Sequence, residues 1–182
     1  MADNEGVGKA CEMINKGGKI IETNQLVPVP GKNAQVVKIE YDVLVDLEEK
    51  IGGKIPIVDK IEWNTFGFIV ENNHIVGLVL TNKGLSSLPE IITKMTWLKR
   101  LDLSSNQLTS LPDTIGNLES LKELYLASNK LTSLPDSIGN LTSLEELNLR
   151  KNKLSSIPEK TRKKLRELEE NGCSISSDRW VF

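Results

Sequence analysis

At 182 residues, 38% hydrophobic and 26% charged, the chain is long enough for one domain with a sizeable core, and its composition excludes a wholly disordered one. Its formal net charge of −2 lacks the basic footprint of a nucleic-acid binder, and no apolar run approaches the ~20 residues a membrane span needs. Residues 1–74 carry 8 Lys against 12 acidic residues and residues 75–182 carry 15 Lys or Arg against 13, a split too mild to name a partner.

The first residues, Met1-Ala2-Asp3-Asn4-Glu5, show no basic region followed by an apolar one, so no secretory signal is expected. Cys11 and Cys173, far apart and without metal or redox spacing, fit a reducing, cytoplasmic setting. Residues 5–16 read as a short helix ended by Gly17-Gly18, with residues 19–29 extended; the stretch from Leu26 to Gly31, with Pro28 and Pro30, is a linker or an edge strand. Val37, Tyr41, Leu44, Leu47 and Ile51 recur at helical spacing up to Gly52-Gly53, which predicts a helix lying across the cap of the domain.

Phe66 to Glu71, then Asn72-Asn73-His74, then Ile75 to Leu80 predict an antiparallel hairpin. A two-residue Asn72-Asn73 turn pairs Val70 with Ile75 and puts Phe66 and Phe68 on the face opposite Leu78 and Leu80. A three-residue loop pairs Phe68 with Leu78 and Phe66 with Leu80, all inward, and is the favoured register. His74, the single histidine, is expected in the loop.

From here the chain repeats. Ile75, Leu98, Leu121 and Leu144 stand 23 residues apart, and so do Leu78, Leu101, Leu124 and Leu147, Leu80, Leu103, Leu126 and Leu149, and Leu85, Leu108, Leu131 and Leu154. Prolines 89, 112, 135 and 158 keep the same interval. The L-x-x-L-x-L spacing carries a period-2 segment, a short strand with two leucines inward and the residue between them outward. Proline then denies a ladder donor and turns the chain away, so successive strands stack in parallel. Asn106, Asn129 and Asn152 fall at one corner of consecutive units, where an amide can satisfy backbone groups opened by the turn; Lys83 interrupts this ladder at its first rung.

At the other end Leu165, Leu168, Cys173 and Ile175 match the repeat out of phase, with Cys173 at the asparagine position and Glu170 where a leucine is expected, which suggests a degenerate terminal repeat. Ser156-Ile157-Pro158-Glu159 has a capping-box outline, and Thr161, Leu165 and Leu168 then recur at helical spacing until Asn171-Gly172. A helix in place of the usual return is expected, its run from Lys160 to Lys164 reading as a solvated face, with binding of an acidic partner as the alternative. The apolar tip Trp180-Val181-Phe182 either packs back on the last repeat or serves as a short recognition peptide.

Residues 75 to 175 resemble the 23-residue class of leucine-rich repeats found in intracellular proteins, including Ras-scaffold proteins, the plant Ras-group proteins and the repeat arrays of Roco proteins. The resemblance implies an α/β fold, a right-handed solenoid bent into an arc, with a parallel concave sheet on which partners dock. Residues 1–74 are then an N-terminal extension with a helix and β-hairpin cap, residues 75–175 four repeats and a degenerate terminal one, and residues 176–182 a tail. It implies no catalytic residue and no cofactor. The partner expected is a protein, and because many members accompany small GTPases, a small GTPase or its regulator, met by a monomer.

No chemistry-bearing motif competes with this reading. His74 has no second histidine for a metal site, and Gly17-Gly18-Lys19 and Gly52-Gly53-Lys54 lack the upstream glycine and following Ser or Thr of a phosphate loop. Glu48-Glu49, Glu145-Glu146 and Glu169-Glu170 lie in no cleft motif. The alternative is an activity carried by residues 1–74, with the repeats as a targeting element. The candidate site is instead the outward strand row: Gly77, Val79 and Thr81, then Arg100, Asp102 and Ser104, Glu123, Tyr125 and Ala127, and Glu146, Asn148 and Arg150. Of these, Arg100, Asp102, Glu123, Tyr125, Glu146, Asn148 and Arg150 are the partner-binding candidates. Tyr125 is the central anchor, with Arg100 and Arg150 expected to orient a partner's acidic groups.

Overall fold

The computed structural model describes residues 13–14, 20–21, 25–30, 34–62, 65–155 and 157–178. Met13–Ile14 (β1) pairs antiparallel with Ile20–Ile21 (β2). The helix expected over residues 5–16 is therefore a strand at its end, and the rest of it lies outside the described residues; a Gly-Gly pair between apolar residues suits a hairpin as well as a helix stop. Leu26–Pro28 (β3) and Gln35–Val37 (β4) form a second two-stranded hairpin, where Pro28 sits on an edge as its missing N–H demands. Lys38–Ile51 (α1) follows, ended by Gly52 in the left-handed region at φ +67°, a conformation that glycine adopts without a Cβ clash.

The main sheet has six strands: Gly67–Glu71 (β5), His74–Val79 (β6), Arg100–Asp102 (β7), Glu123–Tyr125 (β8), Glu146–Asn148 (β9) and Ser174–Ser176 (β10), lying side by side in chain order. β5 and β6 are antiparallel, and every later neighbour is parallel. Leu78, Leu101, Leu124 and Leu147 stand in register across β6 to β9, all fully buried. On the opposite side of the core the chain returns through three short 3-10 helices, Glu90–Lys94, Ile115–Asn117 and Asp136–Asn140, which bury Ile92, Ile115 and Ile138. These returns approach at backbone distance: a Cβ on Gly116 would lie 2.3 Å from the Ser137 carbonyl oxygen, which explains the glycine there.

Each repeat turns at a residue held left-handed, Asn82, Ser105, Ser128 and Lys151, with φ between 55° and 58°. The residue after it carries the compensation. Asn106, Asn129 and Asn152 accept the N–H of Leu85, Leu108 and Leu131 at 3.0 Å, one repeat back. Their amide nitrogens donate to the carbonyls of Leu80, Leu103 and Leu126 in that earlier repeat and of Leu103, Leu126 and Leu149 in their own, all at 2.8–3.0 Å. In the first repeat Lys83 holds this place and spans outward, its Nζ 3.4 Å from the centre of the Phe66 ring.

Both hairpin registers occur. Asn72 and Asn73, at φ 51° and 65°, make the two-residue turn and pair Val70 with Ile75; a bulge between Ile69 and Val70 then shifts the ladder so that Phe68 pairs with Leu78. Phe68 is 1% exposed, inward as favoured. Phe66 does not pair with Leu80: it precedes β5, half-buried under Lys83. Residues 56–58 run beside β5, Val58 N–H donating to Phe68 O at 2.8 Å and Phe68 N–H to Pro56 O at 2.9 Å, which covers that sheet edge.

The last repeat differs in phase from expectation. Glu159–Glu170 (α2) is the return element, with Leu165 and Leu168 as its buried stripe, and Ile175 takes the strand position beside Leu147, 28 residues on. Cys173 is consequently not at the asparagine corner; it precedes β10, buried beneath the end of α2. A full helix consumes more chain than a 3-10 turn, which delays the strand. Pro158 stands at the N-cap of α2 and gives it no side-chain cap, while Ser156, the first residue of the capping-box outline, lies outside the described residues. Two basic residues of α2 fasten it to the preceding return, Lys160 pairing with Asp136 and Lys164 Nζ donating to Asp136 O at 3.0 Å, and the buried Thr161 hydroxyl donates to the Asp136 carboxylate; Lys163 pairs with Glu167 on the solvated face, as expected.

His74 is not a loop residue. It opens β6, its Nδ1 is 2.9 Å from Glu40 Oε1, and its ring stacks on Trp97 at 4.7 Å between centroids. Glu40, only 2% exposed, also accepts the Ile75 N–H at 2.7 Å, so one carboxylate joins α1 to the first repeat strand. Burial raises the Glu40 carboxyl above its ordinary 4.5, against the opposing pull of the His74 and Ile75 hydrogen bonds. The folded chain therefore holds this proton more tightly than the unfolded chain does. The corresponding stability is full below 4.5 and is lost as the pH rises through the raised value.

Two measurements check these joints. Asn129→Ala leaves buried donors and acceptors unpaired and should cost on the order of 1–3 kcal/mol in denaturant unfolding; an unchanged midpoint would contradict the amide's structural role. Glu40→Gln keeps an acceptor for Ile75 and a donor for His74, so its melting temperature should lose the wild-type decline above the ordinary carboxylate range, while Glu40→Ala destabilises at every pH.

Candidate functional site

The outward side chains of the sheet form two rows, because strand neighbours stand about 4.8 Å apart and alternate residues share a face. One row reads Gly77, Arg100, Glu123, Glu146 and Ser174, the other Val79, Asp102, Tyr125, Asn148 and Ser176. The first strand's share is not available. Val79 is 3% exposed, and a Cβ on Gly77 would meet Ile61 Cδ1 at 2.7 Å, with Ile69 beside it, so the open face begins at Arg100 and Asp102.

Four of the seven candidates converge. Arg100 forms an ion pair with Glu123 on the next strand, and its guanidinium carbon lies 4.6 Å from the centre of the Tyr125 ring. The Tyr125 hydroxyl is 2.6 Å from Glu146 Oε2 and 3.1 Å from Glu123 Oε2. A phenol has one proton to donate, and the shorter contact assigns it to Glu146. Burial first, then the Glu146 hydrogen bond and the Glu123 charge, push the phenol well above the usual tyrosine range, so Tyr125 remains a neutral donor. Arg100 is accordingly engaged within the face rather than aimed at a partner's acidic groups, and its buried Nε has no hydrogen-bond partner among the described residues.

The other three candidates stand apart from this cluster. Asp102 Oδ1 accepts the Ser104 N–H at 2.9 Å and Asn148 Oδ1 accepts the Arg150 N–H at 3.2 Å, local turns at the strand ends. Arg150 is exposed beyond β9. Among the described residues Asp102, Glu146 and Arg150 have no ion-pair partner, whereas the flanking pairs Lys99 with Glu71 and Lys122 with Glu145 are closed at 2.7 and 2.6 Å.

Sequence reasoning missed the Glu40, His74 and Trp97 joint, where Trp97 remains 51% exposed. The available signal was Glu40 itself: it lies one turn before Leu44 and two before Leu47, on the stripe that α1 buries. Cys173, the one free thiol among the described residues, is pushed up to about 11 by burial and by the charges of Glu169 and Glu146, which makes it a poor nucleophile at neutral pH. Among the described residues no three His, Cys, Asp or Glu side chains gather as a metal-ligand set.

The leucine-rich repeat region family matches residues 60–172, more than half of the chain. This chain belongs to the leucine-rich-repeat family. It is similar to a leucine-rich-repeat protein of Leptospira interrogans, at 36% identity over 55% of this chain and TM-score 0.48, and spans only 24% of that protein's length. It is also similar to the leucine-rich-repeat ectodomain of the receptor kinase SOBIR1 from Arabidopsis thaliana, at 18% identity and TM-score 0.50, over 78% of this chain and 92% of that one. No curated protein matches it.

Proposed function

We propose that this protein is a non-catalytic protein-interaction module that binds a protein partner on the sheet face of its repeats, with Tyr125 as the anchor. The observation that carries this reading is the Tyr125 cluster: an aromatic ring in the middle of the open face, held in one orientation by Arg100 and Glu146. A side chain already fixed loses little entropy on binding and offers a ring edge and a hydroxyl together. Tyrosine and arginine are also the residue types enriched at interface hot spots. In this reading the repeats supply a rigid backbone lattice, and function resides in the residues that the lattice does not need.

The finer form of the proposal is a monomeric, cytoplasmic scaffold for a small GTPase or its regulator. Its support is the 23-residue repeat spacing and the resemblance to Ras-scaffold, Ras-group and Roco arrays. Affinity capture with the wild-type chain and with Tyr125→Ala, followed by titration of the recovered protein, tests both levels. Tyr125→Ala should lose at least ~2 kcal/mol of affinity, while its melting temperature moves little because no inward leucine changes. Equal affinity would remove the sheet face from the mechanism; recovery of a partner unrelated to GTPases would remove only the scaffold assignment.

A further inference from the structure

The charges on the open face do not match the acidic partner that the two arginines suggest in the sequence. Arg100 is neutralised by Glu123 on the adjacent strand and lies against the Tyr125 ring. Asp102 lies directly beside Tyr125 on β7 and Glu146 diagonally across from it on β9, about 12 Å apart by strand spacing and residue rise, and neither has a cation among the described residues. The hydroxyl of Tyr125 gives Glu146 a hydrogen bond but no countercharge. The carboxylate next in sequence to Glu146, Glu145, is by contrast closed by Lys122 at 2.6 Å. The face is thus an aromatic ring with an unbalanced carboxylate on each side, while the cation it contains is already consumed. Arg150 stands at the margin, beyond the strand, at the level of Ala127 and Ser104 rather than of Tyr125.

Resting on the sheet-face reading above, we infer that the partner presents a cationic side chain, lysine or arginine, which seats over Tyr125 between Asp102 and Glu146. Charge complementarity selects this occupant: an acidic group brought to the same place would meet Asp102, Glu123 and Glu146 with Arg100 unable to leave Glu123 without exposing it. A guanidinium or ammonium group would instead gain Glu146, which holds one short hydrogen bond and has further lone pairs to give, together with the ring of Tyr125. The roofed first strand bounds the contact on one side, and the ring with its two carboxylates centres it on β7, β8 and β9, a footprint suited to a short extended segment or loop.

The probes are two fluorescein-labelled octapeptides of equal length, one of alternating Arg and Gly and one of alternating Glu and Gly. Each is titrated by anisotropy at low and physiological ionic strength against the full chain, the Asp102→Asn/Glu146→Gln double variant, Tyr125→Ala, and Glu167→Gln/Glu170→Gln on α2 as a charge-matched control. The basic probe should bind, weaken with salt, and lose about tenfold in affinity in the face double variant and in Tyr125→Ala, while the α2 control is unchanged. Equal loss in the control would show attraction to net charge alone and overturn the proposal, as would failure of the basic probe to bind. Binding of the acidic probe that Tyr125→Ala abolishes would overturn the cationic partner but leave the sheet face as the site. Basic-probe binding unaffected by every variant would place recognition elsewhere and overturn both. Circular dichroism melts of each variant confirm that a loss is not unfolding.

Discussion

A strand of three residues has no stability of its own, yet β7, β8, β9 and β10 are all of that length. What holds them is the lateral bond between repeats, and the corner where each repeat turns decides whether that bond can be repeated. The turn forces a non-glycine residue into the left-handed region, which costs roughly 1–3 kcal/mol, and it opens carbonyls and N–H groups toward the core. One amide side chain, bonded at once to its own repeat and to the one before, closes those groups. Stacking is therefore specified residue by residue rather than left to leucine packing, which is nondirectional.

An array built this way has two ends, and they are managed differently. At the front, residues 56–58 cover the outer edge of β5, and α1 is fastened to β6 through the Glu40 carboxylate. A buried charged group is an expensive fastener, offset here by two hydrogen bonds, and it makes the joint directional where a further leucine would only make it apolar. At the rear, α2 lies across the third 3-10 return so closely that a Cβ on Gly139 would stand 2.5 Å from Lys164 Cβ. Lys160 and Lys164 reach Asp136 and so fasten the helix to that return, while Lys163, 75% exposed, stays on the solvated face.

Between these ends the sheet presents side chains that the lattice does not require, and their arrangement is a consequence of register. Because Arg100, Glu123 and Glu146 share one row and Asp102, Tyr125 and Asn148 the next, each side chain reaches its neighbours on adjacent strands. Arg100 finds Glu123, Tyr125 finds Glu146, and the two unmatched carboxylates lie on either side of the ring. The chemistry of the face follows from which pairs close first.

The sequence alone determined the repeat, the inward leucines, the proline-marked returns, the three asparagines and the span of α1, because each is a local or periodic feature that backbone geometry converts directly into position. It determined the identity of the outward residues for the same reason. Only the tertiary structure decided how those residues pair. That Arg100 would turn to Glu123, that Ile61 would roof Gly77, and that Glu40 would reach across to His74 depend on segments far apart in the chain and on side-chain rotamers. Phase at the rear end was also beyond local reading. Leu165 and Leu168 satisfy the repeat pattern and the helical pattern equally, and helix α2 prevails because its apolar stripe buries against the preceding return while Ile175, further along, completes the sheet.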